Sequence, residues 1–332
     1  MNEKITVGIN GFGRIGRNLF RLLLDSPTIE VVTINDLADA KTLAHLLKYD
    51  SIHGVLKEQI SASTNEIFVG KRKFAFTSSK NIEDIYWGKV DVVIESTGKF
   101  KRKEQLENHL KNGAIKVILS VPPLEDDIKT VVLGVNDVIL EPSDLIISNA
   151  SCTTNNAAPM LKIIDDLCGI EQAYITTVHS YTTDQSLHDQ PHRDPRRARA
   201  AGQSIIPTTT GAAKALTKIF PELADVIGGC GIRVPVPNGS LSDITINVKR
   251  EPTIDEINLA FKEASENSMK GIVEYTEDPI VSIDIVGNTH SCVFDAEMTS
   301  VIGKMVKIIG WYDNEIGYSS RIVDLIQKIA AK

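Results

Sequence analysis

One cysteine of this chain lies in a segment whose composition suits a nucleophile. Cys152 stands in the run Ser-Cys-Thr-Thr-Asn at residues 151–155, after a strand-like segment at 145–147 and before a helical pattern at 160–167. A thiol at the start of a helix faces the positive end of the helix dipole, which lowers its pKa and favours the nucleophilic thiolate. The sequence therefore predicts a reactive Cys152. The other cysteines are predicted to be buried packing residues: Cys168, Cys230 and Cys292.

A thiol nucleophile is activated by a neighbouring imidazole. Among the seven histidines, His179 is the strongest candidate, because it ends the strand-like segment 173–178 and precedes the polar run Ser-Tyr-Thr at 180–182. Spacing alone does not place His179 beside Cys152. Three other histidines are predicted to lie on helix or loop surfaces: His45, His53 and His109.

Several segments of the second half suit the binding of an oxyanion. The run Thr-Thr-Thr-Gly at 208–211 precedes a helical pattern, and a helix start rich in hydroxyls and free N–H groups binds phosphate well. Arg233 is a candidate phosphate clamp. The loop at 188–199 holds four arginines mixed with Asp189 and Asp194, a mixture that favours internal ion pairs over a nucleic-acid patch.

Near its N-terminus the chain carries the pattern G-x-G-x-x-G at residues 11–16, between a strand-like segment and an amphipathic helical pattern. This context predicts a dinucleotide site, in which Gly11 permits a tight turn, Gly13 lets the backbone approach a pyrophosphate and Gly16 allows close packing. Asp36 ends the second strand-like segment and suits the ribose hydroxyls. Its carboxylate repels a 2′-phosphate, so the sequence predicts NAD as the cofactor rather than NADP.

The elements that must position these residues fall into two groups. In the first half, β-branched runs at 5–9, 29–34, 90–95, 115–119 and 145–147 alternate with helical patterns. This alternation predicts an α/β fold, a Rossmann-type doubly wound sheet. From about residue 170, strand-like segments at 173–178, 243–248, 282–286, 293–298 and 305–311 predict an α+β domain with a largely antiparallel sheet.

Composition and charge exclude several classes of protein. The chain has 332 residues, 36 basic and 43 acidic, for a net charge of −7, which gives no general attraction to nucleic acid. No apolar run approaches the ~18 residues of a membrane span, so no membrane partner is predicted. Four cysteines without a C-x-x-C pair indicate neither a disulfide scaffold nor a metal site. The N-terminus lacks a signal-peptide pattern, and a cytoplasmic location is predicted.

Together these motifs resemble the glyceraldehyde-3-phosphate dehydrogenase family. The similarity lies in I-N-G-F-G-R-I-G-R at 9–17, S-C-T-T-N at 151–155, His179, P-T-T-T-G-A-A-K at 207–214 and W-Y-D-N-E at 311–315, and it extends from residue 4 to about residue 327. It implies oxidation and phosphorylation of glyceraldehyde 3-phosphate to 1,3-bisphosphoglycerate, with reduction of NAD and a thiohemiacetal and a thioester on Cys152. It also implies that His179 is the base and that the chain forms a homotetramer.

The resemblance also assigns domains and binding residues. It implies an NAD-binding domain at 1–151, completed by a C-terminal helix at 315–332, and a catalytic domain at 152–314. The residues that match the family's inorganic-phosphate side are Ser151, Thr153, Thr210 and Gly211. Those that match the site of the substrate phosphate are Thr182, Arg197 and Arg233. Besides Gly11 and Gly13, the residues that match cofactor contacts are Arg14, Ile15, Asp36, Lys80, Ser120 and Asn314.

Two other functions remain open at this stage. A non-phosphorylating erythrose-4-phosphate dehydrogenase of the same fold would share Cys152 and His179 but release a free acid. A redox-sensing or RNA-binding interaction protein could use the reactive cysteine or the arginine loop. The chain departs from the family at Asn156, where a second cysteine is common, and at Lys80, where arginine is frequent.

Overall fold

The computed structural model describes residues 3–330 of the chain, and these divide into two compact units. The first unit contains the chain up to Val131, the segment Ile139–Ala150 and the chain from Ser319 onward. The second contains Val132–Val138 and Ser151–Tyr318. The domain boundaries expected from the family resemblance stay a prediction.

The first unit contains short strands and three helices before residue 150. In chain order they are β1 (Ile5–Asn10), α1 (Arg14–Leu23), β2 (Ile29–Asn35), α2 (Ala40–Lys48), β3 (Tyr49–Asp50), β4 (Gly54–Val55), β5 (Ile60–Ala62), β6 (Glu66–Val69), β7 (Arg72–Thr77), β8 (Val90–Glu95), α3 (Lys103–Lys111), β9 (Ala114–Leu119), β10 (Lys129–Thr130) and β11 (Ile146–Ser148). A short 3₁₀ helix, Ile82–Asp84, precedes β8.

Within the part of the chain described, nine strands of this unit form one sheet in the order β10-β11-β9-β8-β1-β2-β7-β6-β5. The pairs from β10 to β7 are parallel, whereas β6 and β5 add antiparallel at one edge. The central strands are buried on both faces, which explains why they appear as continuous β-branched runs. The strand order reverses at β1, and ligands of such sheets bind beside the reversal, at the carboxyl ends of the strands.

The second unit begins with a long helix and then alternates strands with shorter helices. Its elements are α4 (Cys152–Cys168), β12 (Ile170–Ser180), β13 (Ile206–Thr208), α5 (Ala212–Ile219), β14 (Ile227–Val234), β15 (Ser240–Val248), α6 (Ile254–Glu266), β16 (Val273–Thr276), β17 (Cys292–Asp295), β18 (Ser300–Ile302) and β19 (Met305–Tyr312). The final helix, α7 (Ile316–Ala330), starts in this unit and continues into the first. Besides Ile82–Asp84, the described residues contain four further 3₁₀ helices: Asp137–Ile139, Pro221–Leu223, Ser282–Ile285 and Ala296–Met298.

The sheet of the second unit has the order β13-β14-β12-β15-β19-β17-β16, with β18 paired to β19. Its pairs are antiparallel except for β12 with β14 and β16 with β17. The predicted fold class, a Rossmann-type sheet and an α+β domain with a largely antiparallel sheet, is therefore confirmed. No helix within residues 3–330 is long and apolar enough to cross a membrane.

One predicted strand is wrong, and one observed strand was not predicted. Residues 282–286 were expected to be a strand, but Ser282–Ile285 is a 3₁₀ helix because the Asp284 carboxylate accepts a hydrogen bond from the Val281 N–H at 2.8 Å and closes a local turn. Strand β14 was missed because three glycines depress its strand propensity. At Gly229 a Cβ atom would lie 2.7 Å from the carbonyl oxygen of Ile175 on β12, so close pairing of these strands requires glycine there.

Candidate functional site: a dinucleotide cavity and a cysteine–histidine centre

The first unit holds a cavity of about 220 Å³ at the carboxyl ends of its central strands. Its lining combines the glycine turn after β1, the end of β2 and the segment that follows β8. The lining residues are Asn10, Gly11, Gly13, Asn35, Asp36, Leu37, Ser79, Lys80, Ser96, Thr97, Lys99 and Phe100. This is the position at which the sequence predicts a dinucleotide.

The three glycines of the fingerprint meet three different spatial demands. Gly11 has a φ of 93°, and a Cβ there would lie 2.7 Å from the backbone nitrogen of Thr97. A Cβ on Gly16 would lie 2.1 Å from the Gly11 carbonyl oxygen. A Cβ on Gly13 meets no atom within 4 Å, so the backbone at the start of α1 faces open space. This cradle fits a pyrophosphate group, which binds at helix N-termini through backbone N–H groups.

Asp36 is fixed at the edge of the cavity by the backbone around it. One carboxylate oxygen accepts a hydrogen bond from the Phe12 N–H at 2.7 Å, and the other accepts from the Ala38 N–H at 3.0 Å. These two contacts orient the carboxylate, and no cationic side chain within residues 3–330 forms an ion pair with it. The carboxylate is thus available to ribose hydroxyls and unfavourable to a 2′-phosphate.

We expect Asp36→Ala to narrow the preference for NAD over NADP from about 10–100-fold toward equality, because a like-charge contact costs a few kcal/mol and about 1.4 kcal/mol corresponds to tenfold. The measurement is kcat/KM for each cofactor. The matched control is Asp39→Ala, which removes the exposed carboxylate that caps α2 outside the cavity. Equal kcat/KM values for NAD and NADP in the unsubstituted protein would contradict the role of Asp36.

The other residues expected to contact the cofactor occupy different environments. Lys80 lines the cavity and is exposed. The Arg14 guanidinium, at the start of α1, forms an ion pair with Asp50 at 2.5 Å. Burial raises the pKa of Asp50, but hydrogen bonds from Arg14 and from backbone N–H groups lower it to about 2, so the pair is charged. Ile15 is half-buried on α1, and the backbone N–H of Ser120 donates to the Glu95 carbonyl oxygen at 3.0 Å.

The cysteine–histidine centre lies in the second unit, where α4 begins. Ser151 caps this helix, because its hydroxyl accepts the N–H of Thr154 at 3.1 Å, and Cys152 is the first helical residue. The Cys152 Sγ lies 3.5 Å from Nε2 of His179, which is close enough for proton transfer between them. The structure thus places together the two residues that spacing alone could not.

His179 is held between a backbone carbonyl group and an arginine. Strands β12 and β14 are parallel neighbours, and their register pairs His179 with Arg233. The Arg233 Nη1 lies 2.6 Å from Nδ1 of His179 and 2.8 Å from the Ser180 carbonyl oxygen. A guanidinium only donates hydrogen bonds, so the Arg233 contact favours an Nδ1 without a proton. The Ser180 carbonyl oxygen lies 2.7 Å from the same Nδ1 and favours an Nδ1–H, so each tautomer of the neutral ring has a partner.

Burial, and then the positive charge of Arg233, lower the pKa of His179 to about 3. The ring is therefore neutral at physiological pH. Removal of the Cys152 sulfur from water raises the thiol pKa, and this effect outweighs the opposing effects of the Arg233 charge and of the Thr153 N–H. The predicted lowering of the thiol pKa is therefore wrong, because the effect of desolvation is larger than the favourable effects that oppose it.

A hydroxyl network that the sequence did not predict supports this centre. The Tyr312 hydroxyl forms hydrogen bonds of 2.9 Å with the hydroxyls of Thr153 on α4 and Thr177 on β12. Its ring meets the His179 ring edge-on, with 5.9 Å between centroids. Tyr312 lies in the W-Y-D-N-E segment, but only the pairing of distant strands brings it beneath the cysteine helix.

Asn314 is oriented in the same unit by two serines. Its Oδ1 accepts hydrogen bonds from the hydroxyls of Ser180 at 2.8 Å and Ser240 at 2.9 Å. All three side chains are buried. These contacts fix the direction of the Asn314 amide, an orientation that suits the recognition of an amide group on a ligand.

The arginine loop contains the internal ion pairs that its composition predicts. Arg197 pairs with Asp184, donates from Nε to the Thr208 hydroxyl at 2.9 Å and donates from Nη2 to the Thr209 carbonyl oxygen at 3.1 Å. Its charge also contributes to the lowered pKa of His179, so it lies within electrostatic reach of the centre. Arg199 pairs with Asp189 at 3.0 Å.

Three other predicted phosphate residues have local contacts in the described structure. The Thr182 N–H donates to Gln185 Oε1 at 3.3 Å. The Thr210 hydroxyl accepts from the Ala212 N–H at 3.2 Å, and Gly211 is the exposed N-cap of α5. None of the described hydrogen bonds joins these three directly to Cys152 or His179.

Comparison with known proteins identifies the family. Residues 5–103 match the family model "Glyceraldehyde 3-phosphate dehydrogenase, NAD binding domain", and residues 151–314 match the model for the C-terminal domain of the same family. The chain belongs to the glyceraldehyde-3-phosphate dehydrogenase family. The resemblance inferred from the sequence is therefore confirmed, and so is NAD as the cofactor of an NAD-dependent oxidoreductase.

Curated members of the glyceraldehyde-3-phosphate dehydrogenase family match almost the full chain. The enzyme of Geobacillus stearothermophilus is 52% identical over 332 residues, 99% of each chain. Glyceraldehyde-3-phosphate dehydrogenase 2 of Streptomyces avermitilis is 54% identical over 326 residues, 97% of each chain. Glyceraldehyde-3-phosphate dehydrogenase 1 of Bacillus subtilis is 50% identical over 332 residues, 99% of each chain.

The departure at Asn156 has a structural explanation in this glyceraldehyde-3-phosphate dehydrogenase family member. The side chain is buried in α4, and its Nδ2 lies 3.3 Å from three carbonyl oxygens, those of Ser291, Gly310 and Trp311. A cysteine could not make these contacts, because a thiol is a weak donor with a single hydrogen. Asn156 therefore anchors α4 to β19 and the segment before β17.

Two predictions about individual side chains are wrong. Cys230 is half-buried on β14, whereas Cys168 and Cys292 are buried as predicted. His109 was expected at the surface but is completely buried, with Nε2 3.1 Å from the Glu95 carboxylate. Its spacing in the sequence could have indicated this burial. His109 follows the buried Leu106 by three residues on α3, so both side chains lie on the inner face of that helix.

Proposed function

We propose that this chain oxidises and phosphorylates D-glyceraldehyde 3-phosphate to 1,3-bisphosphoglycerate while reducing NAD, the glycolytic reaction. The observation that carries the proposal is the Cys152–His179–Arg233 arrangement, in a chain whose first unit forms a dinucleotide cavity. A nucleophilic sulfur, a base and a phosphate-binding cation are the groups this reaction needs. The homologues named for the reaction support it over nearly the full length.

In the first half-reaction the Cys152 sulfur attacks the aldehyde carbon and a C–S bond forms. The proton that the thiol loses passes to the carbonyl oxygen, which becomes the hydroxyl of a thiohemiacetal. His179 Nε2 then takes the hydroxyl proton while the C–H bond breaks with its electron pair, and a thioester remains on the sulfur. When bound, NAD supplies the acceptor for that hydride. The thioester retains energy that hydrolysis would release.

In the second half-reaction an oxygen of inorganic phosphate attacks the thioester carbon, and the C–S bond breaks. The acyl phosphate leaves, and Cys152 regains a thiolate that the proton on His179 stabilises. Both half-reactions thus use the same sulfur–imidazole pair, at the 3.5 Å separation the structure shows.

The contact between Arg233 and His179 suggests how substrate prepares the base. In the tautomer whose Nδ1 accepts from Arg233, the ring carries its proton on Nε2, which then has no lone pair and cannot act as the base. An anionic substrate group attracts the guanidinium and releases Nδ1. Nδ1 can then carry the proton and donate to the Ser180 carbonyl oxygen, 2.7 Å away, which leaves Nε2 free as the base.

The remaining site assignments are part of the proposal. Cys152 and His179 are the catalytic residues. The residues proposed to hold inorganic phosphate or the substrate phosphate are Ser151, Thr153, Thr182, Arg197, Thr210, Gly211 and Arg233. Those proposed to contact NAD are Gly11, Gly13, Arg14, Ile15, Asp36, Lys80, Ser120 and Asn314. The domain boundaries proposed are 1–151 with 315–332, and 152–314.

The decisive experiment is to follow NADH formation from glyceraldehyde 3-phosphate with and without inorganic phosphate. Without phosphate we expect a burst of about one NADH per active site and then slow turnover, because the thioester lacks its acceptor. Arsenate should restore turnover, since it attacks the thioester in the same way. Sustained turnover without phosphate, with a preference for erythrose 4-phosphate, would instead establish the non-phosphorylating alternative.

We also propose that the chain forms a homotetramer and works in the cytoplasm. In support, the loop after β12 and the second sheet expose large apolar side chains, including Leu187, Ile205 and Tyr174. Light scattering should give a mass about four times the 36.4 kDa of the chain. A particle of single-chain mass would contradict the assembly but not the reaction.

A further inference from the structure

The first unit contains a fully buried carboxylate that the proposed reaction does not use. Glu95 ends β8, and neither it nor His109 on α3 is exposed to solvent. The Glu95 carboxylate accepts hydrogen bonds from four donors. They are the Asn10 Nδ2 at 2.6 Å, the His109 Nε2 at 3.1 Å, the Thr97 N–H at 2.9 Å and the Thr97 hydroxyl.

The tautomer of His109 follows from its two partners. The Trp87 indole N–H donates to His109 Nδ1 at 2.9 Å, and an indole nitrogen can only donate. The neutral His109 ring therefore carries its proton on Nε2 and donates it to Glu95. Trp87, His109 and Glu95 form a chain of hydrogen bonds in which every donor has one acceptor.

Glu95 holds the dinucleotide turn from two sides. Asn10 immediately precedes Gly11, and its Oδ1 accepts from the Asn35 side chain at 2.9 Å, next to Asp36. Thr97 lies against Gly11, since a Cβ on that glycine would meet the Thr97 backbone nitrogen at 2.7 Å. Asn10, Asn35 and Thr97 all line the cavity.

We propose that Glu95 is a positioning residue for cofactor binding. Glu95 fixes Asn10 and Thr97 around the turn at Gly11, and the His109 N–H keeps the Glu95 carboxylate in place. The proposal rests on the proposed function only for the identity of the ligand as NAD. Glu95 does not line the cavity, so it acts through the residues that do.

Glu95→Gln is the first test, because an amide cannot accept on both of its ends. In one orientation the NH₂ group of the glutamine faces the donors of Thr97, and in the other it faces the donors of Asn10 and His109. His109 cannot become an acceptor at Nε2, because its proton would then lie on Nδ1 and point at the N–H of the Trp87 indole. We expect the Kd for NAD, measured by titration calorimetry on the full chain, to rise about 10- to 100-fold. The rate at which iodoacetamide alkylates Cys152 without NAD should change less than about twofold.

A pair of substitutions at His109 separates positioning from simple stability. His109→Gln keeps a donor for Glu95 and an acceptor for Trp87, so the Kd for NAD should stay near that of the unsubstituted chain. His109→Leu removes the donor and should weaken NAD binding as Glu95→Gln does. The exposed Glu104→Gln on α3 is the matched control and should change neither quantity.

Two results would overturn the proposal while leaving the function intact. One is an unchanged Kd for NAD in Glu95→Gln, measured beside an unsubstituted chain that binds NAD. The other is an equal rise in the Kd for NAD in His109→Gln and His109→Leu. In that case the melting temperature and the rate of Cys152 alkylation would change in proportion to the Kd. If the unsubstituted chain failed to bind NAD, the proposed function itself would be at fault.

Discussion

Cys152→Ala should abolish the formation of NADH, with a loss of kcat of at least about 10⁴-fold, because no other group can form the covalent intermediate. NAD binding should remain, since the dinucleotide cavity belongs to the first unit. Cys152→Ser should behave almost as severely, because the serine hydroxyl is a far weaker nucleophile than a thiol. The measurement combines the pre-steady-state burst of NADH with a separate NAD titration.

The matched control for this experiment is Cys230→Ser. Cys230 is a half-buried thiol on β14, in the same unit as Cys152. Its sulfur contacts the Thr176 hydroxyl, and no described hydrogen bond joins it to His179. This substitution should leave the burst and the steady-state rate within about twofold. Near-native turnover in Cys152→Ala, or an equal loss in both variants, would show that Cys152 is not the nucleophile.

The dinucleotide turn was predictable because its chemistry is local. Gly11, Gly13 and Gly16 lie within one strand–helix connection, and the structure gives each a spatial reason that follows from that connection alone. The N-terminal position of Cys152 on α4 was predictable in the same way, from a polar run between a strand-like and a helical pattern. Such features depend on a few consecutive residues and on the periodicity that surrounds them.

The environment of His179 could not be predicted because it depends on register between distant strands. Arg233 follows His179 by 54 residues and meets it only because β12 and β14 pair in parallel. Strand β14 is rich in glycine and was not recognised. The direction of the thiol pKa was missed for the same kind of reason, since the sequence shows the helix start but not how far the sulfur is removed from water.

His109 shows a different limit. A histidine among polar residues on a short helix is usually exposed, and only the fold shows that Glu95 and Trp87 satisfy both ring nitrogens in the interior. Burial of a polar group without partners is costly, so the three residues are compatible with the core only as a set. No pattern within α3 alone reveals that set.

His179→Asn should lower kcat/KM by about 10²- to 10⁴-fold, the usual contribution of a general base, because an amide of similar size cannot take up the hydroxyl proton. The variant should then depend more steeply on pH than the unsubstituted chain. Burial raises the pKa of Cys152, so without its base the sulfur must ionise unaided, and the thiolate fraction grows about tenfold per pH unit below that pKa.

Stability gives an independent check on the same substitution. The His179 pKa is about 3 in the folded chain and about 6.5 in the unfolded one, so between these values the unfolded state binds more protons. The free energy of unfolding should therefore fall as the pH drops from about 6.5 toward 3, by up to about 1.4 kcal/mol per unit from this group. His179→Asn should remove that contribution, and denaturant titrations across the window measure it. If both chains lost stability with the same slope, and kcat/KM of the variant fell less than about tenfold, His179 would be neither the buried neutral imidazole nor the base that the proposed reaction requires.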